Sequence, residues 1–190
     1  MERSEQDRLL FDSDNPKYGY GLRNNHGFYM RTLVTMKFLN LINQAGISLK
    51  DKKILDLGCG DGWFLRFLAE MQQSPKNKLV GYDLDEKQIC GGLAINPNID
   101  LLCQDISKDF PENSGTFDLI VANVSLMFLK DKVKYQHCLD EIKRVLKPKG
   151  HFILYESVSP GSETLRSFSE ESFNRIADYF QLNIFVNFDS

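Results

Sequence analysis

Lys53-Ile54-Leu55-Asp56-Leu57-Gly58-Cys59-Gly60-Asp61-Gly62-Trp63 decides the fold of this chain. A short apolar run meets three alternating glycines and then becomes amphipathic. That pattern predicts a strand ending in a tight turn that opens a helix. Glycine has no Cβ and tolerates positive φ, so a ligand can lie there against bare backbone. The first N–H groups of the helix lack intrahelical partners and attract polar or anionic groups. The stretch therefore points to a site for a nucleoside-containing small molecule.

Working outward, strand and helix alternate. Strand Lys53–Leu57 leads to helix Trp63–Met71, strand Leu79–Tyr82 to helix Glu86–Gly91, and strand Ile99–Cys103 to a loop around Pro111. Strand Phe117–Ala122 leads to helix Lys132–Leu146, strand His151–Glu156 to helix Glu170–Phe180, and Asn183–Phe188 reads as a last strand. Lys147-Pro148-Lys149-Gly150 is a helix stop and turn. This order implies an α/β fold, a doubly wound, mostly parallel sheet with helices on both faces. The strands are nearly all apolar, as strands covered on both sides must be. Ahead of the alternation, His26 to Ala45 shows helical spacing, and Gly46 marks its end. No linker is evident, so residues 1–190 are expected to form a single domain. Residues 1–46 would be an amino-terminal arm and helix serving as a lid, and 47–190 a cofactor-binding core.

The chain has 190 residues and a formal charge of −3. The densest positive run, Lys143, Arg144, Lys147 and Lys149, falls at a predicted helix end and reads as dipole partners rather than a nucleic-acid footprint. Nucleic acid is not favoured as a partner. Cys59, Cys90, Cys103 and Cys138 have no metal or redox spacing, so buried free thiols in a reducing compartment and no metal are expected. The polar segment Met1 to Leu10 is not a signal peptide, and no apolar run reaches membrane-spanning length. A cytoplasmic location without a membrane partner is the expectation.

Two cofactor classes use such a turn. A dinucleotide site wants Gly-x-Gly-x-x-Gly. Here the order is Gly58-x-Gly60-x-Gly62, followed by Trp63, and the Asp61 carboxylate would repel a pyrophosphate. Asp83, ending the second strand, can accept both ribose hydroxyls in charge-assisted bonds. Asp105, ending the third, can take the exocyclic amine of adenine. Asp56 can orient the turn or meet an ammonium group. Cys59, Leu84 and Ile106 are carried beside these acids and are expected at the same site. These groups suit a ligand without phosphate and with a positive centre, as in S-adenosyl-L-methionine.

The set resembles the class I S-adenosylmethionine-dependent methyltransferases. The glycine motif looks like the family's first signature, Asp83 like its ribose-binding acid, and Asp105 like its adenine-side acid. Phe117-Asp118-Leu119-Ile120-Val121-Ala122-Asn123 looks like its fourth-strand motif, and Leu146-Lys147-Pro148-Lys149-Gly150-His151-Phe152 like its fifth-strand lead-in. The resemblance covers roughly Lys52 to Glu156. It implies a Rossmann-like methyltransferase fold with the cofactor at the strand carboxyl ends. It also implies a seven-stranded mixed sheet, whereas the tail here has room for one strand fewer. An uncovered edge predicts edge protection or a homodimer contact.

Asn123 and Ser125 follow the fourth strand on the active edge, where Asn123 is expected to touch the cofactor and Ser125 the substrate. Val124, Ser125 and Leu126 depart from the Asn/Asp-Pro-Pro-Tyr/Phe pattern of enzymes that methylate planar amines. Asp118, at the opposite strand end, reads as a backbone cap. Glu156 and His26 are further substrate-side candidates. Tyr18-Gly19-Tyr20-Gly21-Leu22-Arg23 reads as an aromatic flap, with Tyr20 over the cofactor and Tyr18 toward substrate, or as an anchor of the arm. No catalytic residue is assigned. The expected activity is methyl transfer to a small molecule by in-line displacement, which chiefly needs positioning and exclusion of water. The alternatives are a non-catalytic cofactor-binding module or partner-dependent subunit, and a protein or RNA methyltransferase.

Overall fold

In the computed structural model, residues 25–71 and 78–155 are described. Contacts divide the chain into two compact units, Met1–Ile47 and Ser48–Ser190. In the first, α1 spans Asn25–Gln44. It ends where Gly46 adopts φ +66° and Ile47 N–H donates to Ile42 O at 3.0 Å, the bond that closes a left-handed C-cap.

The second unit runs β1 (Ile54–Leu57), α2 (Trp63–Met71), β2 (Leu79–Asp83), α3 (Glu86–Ile95), β3 (Asp100–Cys103), β4 (Phe117–Asn123), a short 3₁₀ turn at Leu126–Phe128, α4 (Lys132–Val145) and β5 (Leu146–Tyr155). The five strands are parallel, in the order β3-β2-β1-β4-β5. The order reverses at β1, so the carboxyl ends of β1, β2 and β4 frame the crevice where such sheets bind ligands. The helix predicted at Glu170–Phe180, the strand at Asn183–Phe188 and any closing hairpin lie outside the described residues.

Side chains alternate across each strand. Leu55, Leu57, Val80, Tyr82, Ile120 and Ala122 point to one face and pack with Cys138, Leu139 and Ile142 of α4. Gly81 points to the other, where a Cβ would lie 2.7 Å from Cys59 Sγ and 2.9 Å from a methyl of Leu101. Leu101 also fills the space beside Gly62, just before α2, and Gly92 in α3. Helices therefore cover both faces.

Two elements differ from the sequence reading. The helix expected over Glu86–Gly91 is longer, since α3 continues to Ile95 and closes with Asn96 N–H on Gly92 O. Gly92 is needed for close approach, because a Cβ there would overlap Asp61 O. The fifth strand begins at Leu146 rather than His151, and its register with β4 jumps from Phe117↔Leu146 to Leu119↔His151. Lys147–Gly150 bulge out between those pairs, with Lys149 at φ +65°.

The basic residues at this corner also have other duties than dipole pairing. Lys147 Nζ lies 2.8 Å from Asp118 Oδ2, and the Arg144 guanidinium bonds Glu141 and the carbonyls of Phe110 and Glu112. Asp118 has the capping role expected of it, since Oδ2 also accepts Lys53 N–H at 2.9 Å.

Candidate functional site

After β1 the backbone folds back on β2. Gly58 N–H and Cys59 N–H both donate to Tyr82 O, at 2.8 and 2.9 Å, and Gly62 N–H closes on Cys59 O at 2.9 Å. Gly58, Gly60 and Gly62 have φ of +78°, +56° and +72°, which explains glycine at each. All three also admit neighbours of the protein itself, Gly60 least closely, with Gln88 Oε1 3.2 Å from a would-be Cβ. A Cβ on Gly58 would stand 2.5 Å from Ser125 Cβ, and one on Gly62 would stand 3.0 Å from Leu101.

Asp83 ties this turn to β2. Its Oδ2 accepts Gly60 N–H at 2.8 Å and its Oδ1 accepts Asp85 N–H at 2.8 Å. Each oxygen retains a lone pair for a ligand. The helix cap is a different residue: Asp85 Oδ1 receives Lys87 N–H and Gln88 N–H. The spacing Asp85-x-x-Gln88 carried that signal in the sequence. Asp83 is thereby spared the capping role. Leu84 beside it is 54% exposed, an apolar surface at the rim.

Asp56 pairs across the sheet with Gly81 and Val121. Two residues further along β2 and β4, Asp83 and Asn123 lie on the same face of the sheet as Asp56. They flank Gly58 from either side, two strand spacings or about 10 Å apart. Asp56 is only 4% exposed. Burial, reinforced by the Asp83 charge, raises its carboxyl pKa to about 7. Asn123 Oδ1 is buried and meets no hydrogen-bond partner among the described residues. A buried acceptor of that kind calls for a donor. Val124 then adopts φ +49°, rare for a β-branched residue, while its N–H donates to Tyr155 O at 2.7 Å. The kink brings Ser125 onto Gly58.

Asp105 lies two residues beyond β3, where Gln104 N–H donates to Asp83 O at 3.0 Å. Asp105 Oδ1 accepts Ser107 N–H at 2.8 Å. Burial pushes this carboxyl up, but the Ser107 bonds, with Lys108 and Lys134 nearby, hold it below the usual range.

Three expected site residues turn inward. Cys59 Sγ packs against Gly81, and burial with the Asp56, Asp83 and Asp61 charges drives its thiol pKa up. Ser125 is buried against Gly58. Ile106 belongs to the core beneath the sheet. For Cys59 only the backbone is presented at the turn. His26 falls in the first turn of α1. Tyr18, Tyr20 and Glu156 lie outside the described residues. His137 and His151 stand away from the crevice: His137 Nε2 lies 3.0 Å from Asp109 Oδ1, and His151 is level with Leu119 near the start of β4.

The arrangement also bears on the rival cofactor. Asp61 Oδ1 accepts Trp63 N–H at 3.1 Å, so a carboxylate already occupies the α2 N-terminus. Asp61 Oδ2 is 3.4 Å from Arg66 NH2, and Arg66 also donates to Asp61 O. A diphosphate would have to displace this built-in anion. The residues fit an adenosine ligand with a cationic amino-acid arm: three carboxylates, an orphaned amide oxygen and no free anion cradle at the helix end.

A family model described as methyltransferase domain matches residues 54–150. Among curated proteins, a demethylmenaquinone methyltransferase of Symbiobacterium thermophilum is 33% identical over 118 residues, covering 60% of this chain and 45% of that protein. The mitochondrial arginine-hydroxylase NDUFAF5 of Rattus norvegicus is 30% identical over 128 residues, covering 62% of this chain and 35% of that one. The chain thus spans less than half the length of both relatives. Among solved structures, the PH0226 protein of Pyrococcus horikoshii OT3 superposes with a TM-score of 0.62 at 25% identity, covering 83% of this chain and 64% of that one.

Proposed function

The chain belongs to the methyltransferase-domain family, the class I S-adenosylmethionine-dependent methyltransferases, and on that premise we propose that it transfers a methyl group to a small-molecule acceptor. The observation that carries the site assignment is Asp83, bonded to Gly60 N–H yet retaining acceptor capacity beside the exposed Leu84. S-adenosylmethionine supplies a methyl group already activated on a sulfonium.

The chain's own residues bind and orient. Asp83 accepts the ribose hydroxyls, Leu84 lies along the base, and Asp105 takes the adenine amine. Asp56 and the backbone of Gly58, Cys59, Gly60 and Gly62 receive the amino-acid arm. Asn123 Oδ1 takes a donor from the cofactor or from the acceptor at its border. Ser125, by packing on Gly58, shapes the floor rather than touching the acceptor.

No general base is assigned, because an amine lone pair or a carboxylate acceptor needs none. No helix among the described residues is long and apolar enough to cross a membrane. A homodimer and a cytoplasmic location belong to this same proposal.

Calorimetric titration of the chain with S-adenosylmethionine and NAD tests the site. We expect binding of the first alone; NAD binding without it ends the proposal. Transfer of label from methyl-labelled cofactor into a metabolite pool then tests the activity.

A second reading has one observation in its favour. A relative at 30% identity is named an arginine-hydroxylase, so members of similar sequence do not all bear a methyltransferase name. On that reading the chain binds the cofactor without small-molecule methyl transfer. Label appearing in protein, or in nothing, would favour it.

A further inference from the structure

The loop between β3 and β4 carries Asp105 and is fastened almost wholly to one helix. Phe110 N–H donates to Glu141 Oε2 at 2.6 Å, in a buried bond. Arg144 NH2 donates to Phe110 O at 2.9 Å, and Arg144 NH1 to Glu112 O at 2.7 Å. The same guanidinium grips Glu141 through Nε and NH2, at 2.7 and 2.6 Å. One ion pair on the last turns of α4 thus holds three backbone groups of the loop.

The fastening reaches Asp105 by one short path and Asp83 by another. Gln104 Nε2 donates to Asp109 O at 3.1 Å and to Asp105 O at 3.3 Å, bracing the loop from within. Phe110 is buried and stacks edge-on against Tyr82, with centroids 5.4 Å apart, while Tyr82 OH donates to Glu112. Tyr82 precedes Asp83 in β2, so the ribose-side and base-side acids share one support.

We infer that Glu141 and Arg144 are positioning residues for the base-binding end of the site, setting where Asp105 stands relative to Asp83. The inference rests on the proposed reading of Asp105 as the adenine-side acid. Neither residue touches the ligand; each acts through the loop. Loss of the clamp frees the backbone at Phe110 and Glu112 and lets Asp105 drift from the amine it must accept. A displacement of about 1 Å is enough to forfeit a directional hydrogen bond while leaving apolar contact intact.

The test needs no methyl acceptor. The whole chain is titrated with S-adenosylhomocysteine and with S-inosylhomocysteine, whose base carries an oxo group in place of the amine. Wild type, Arg144→Lys and Glu141→Gln are compared, and the melting temperature of each is recorded. We expect the wild type to prefer adenine by about tenfold. In both variants that ratio should fall about threefold or more, with affinity for the inosine compound nearly unchanged. A wild-type ratio near one removes the Asp105 reading and the inference with it. A wild-type preference that survives in variants that merely melt earlier overturns the inference alone, since a structural clamp would lower stability without altering base discrimination. Glu141→Gln keeps the side-chain shape but removes the charge and the second acceptor oxygen that hold the Arg144 fork, and carries the comparison should Arg144→Lys fail to fold.

Discussion

Gly60 N–H donates to Asp83 Oδ2 across 2.8 Å, joining the turn after β1 to the end of β2. The bond fixes one carboxylate rotamer before any ligand arrives, and it points the remaining lone pairs over the turn. Preorganisation of this kind lowers the ordering cost of binding.

Removing that carboxylate should cost affinity at the ribose. Hydrogen bonds to a charged group contribute about 1.5–3 kcal/mol each. Asp83→Ala is therefore expected to weaken S-adenosylhomocysteine binding by about a hundredfold or more. A dideoxyribose analogue should lose much less, only what the broken Gly60 bond costs the turn. Isothermal calorimetry on the two ligands decides, and an equal loss on both would move the ribose elsewhere.

Asp56 should make stability fall with pH. Its carboxyl stays protonated in the fold up to about 7, whereas an unfolded aspartate ionises near 3.8. Between those values the native state binds more protons, so stability decreases as pH rises and levels off above 7. The loss is at most about 4 kcal/mol. Asp56→Asn lacks this titration. Relative to wild type it should gain stability at pH 8 over pH 5, as read from urea midpoints. A constant difference between the two would contradict the burial argument.

Two glycines with similar φ separate conformational cost from crowding. Gly46 has φ +66° and open space around its would-be Cβ, while Gly58 has φ +78° and Ser125 at 2.5 Å. Gly46→Ala should cost about 1–2 kcal/mol, the left-handed backbone alone. Gly58→Ala should exceed it by about 1–3 kcal/mol because Ser125 must move. Thermal unfolding of both variants provides the comparison.

Asp118 governs part of the acid limb. Burial raises its pKa, but the Lys147 bond, Lys53 N–H and the Lys147 and Lys52 charges outweigh it and hold the carboxyl below 3.8. Its stabilisation is present above that ordinary value and is lost as pH falls through the lowered one. Asp118→Asn should therefore lose stability at neutral pH and show a shallower decline in acid. Unfolding midpoints from pH 6 down to about pH 2 would show whether the slopes differ.

Much of the fold was legible because strand and turn chemistry are local. Leu55 and Leu57 had to be buried, and Gly58, Gly60 and Gly62 had to bend. The boundaries that misled were decided across the sheet. Gly91-Gly92 is a helix stop by propensity, yet Gly92 survives inside α3 because Asp61 O sits where a side chain would be. Lys147-Pro148-Lys149-Gly150 does end α4, but it also bulges within β5, since Leu146 already pairs with Phe117.

The site divides in the same way. Sequence alone determined that acids would end β1 and β2 beside a glycine turn, because residue order along a parallel strand sets which groups reach its carboxyl end. Tertiary structure alone decided which side chains face the crevice. Cys59, Ser125 and Ile106 stand at the right positions in the chain yet turn into the protein, where Gly81, Gly58 and the α4 core receive them. Asp85, not Asp83, caps α3, and the neighbouring carboxylate bonds the turn at Gly60 instead. The clamp of Glu141 and Arg144 on a distant loop was equally invisible, because a pairing more than thirty residues long in sequence exists only once packing brings its ends together.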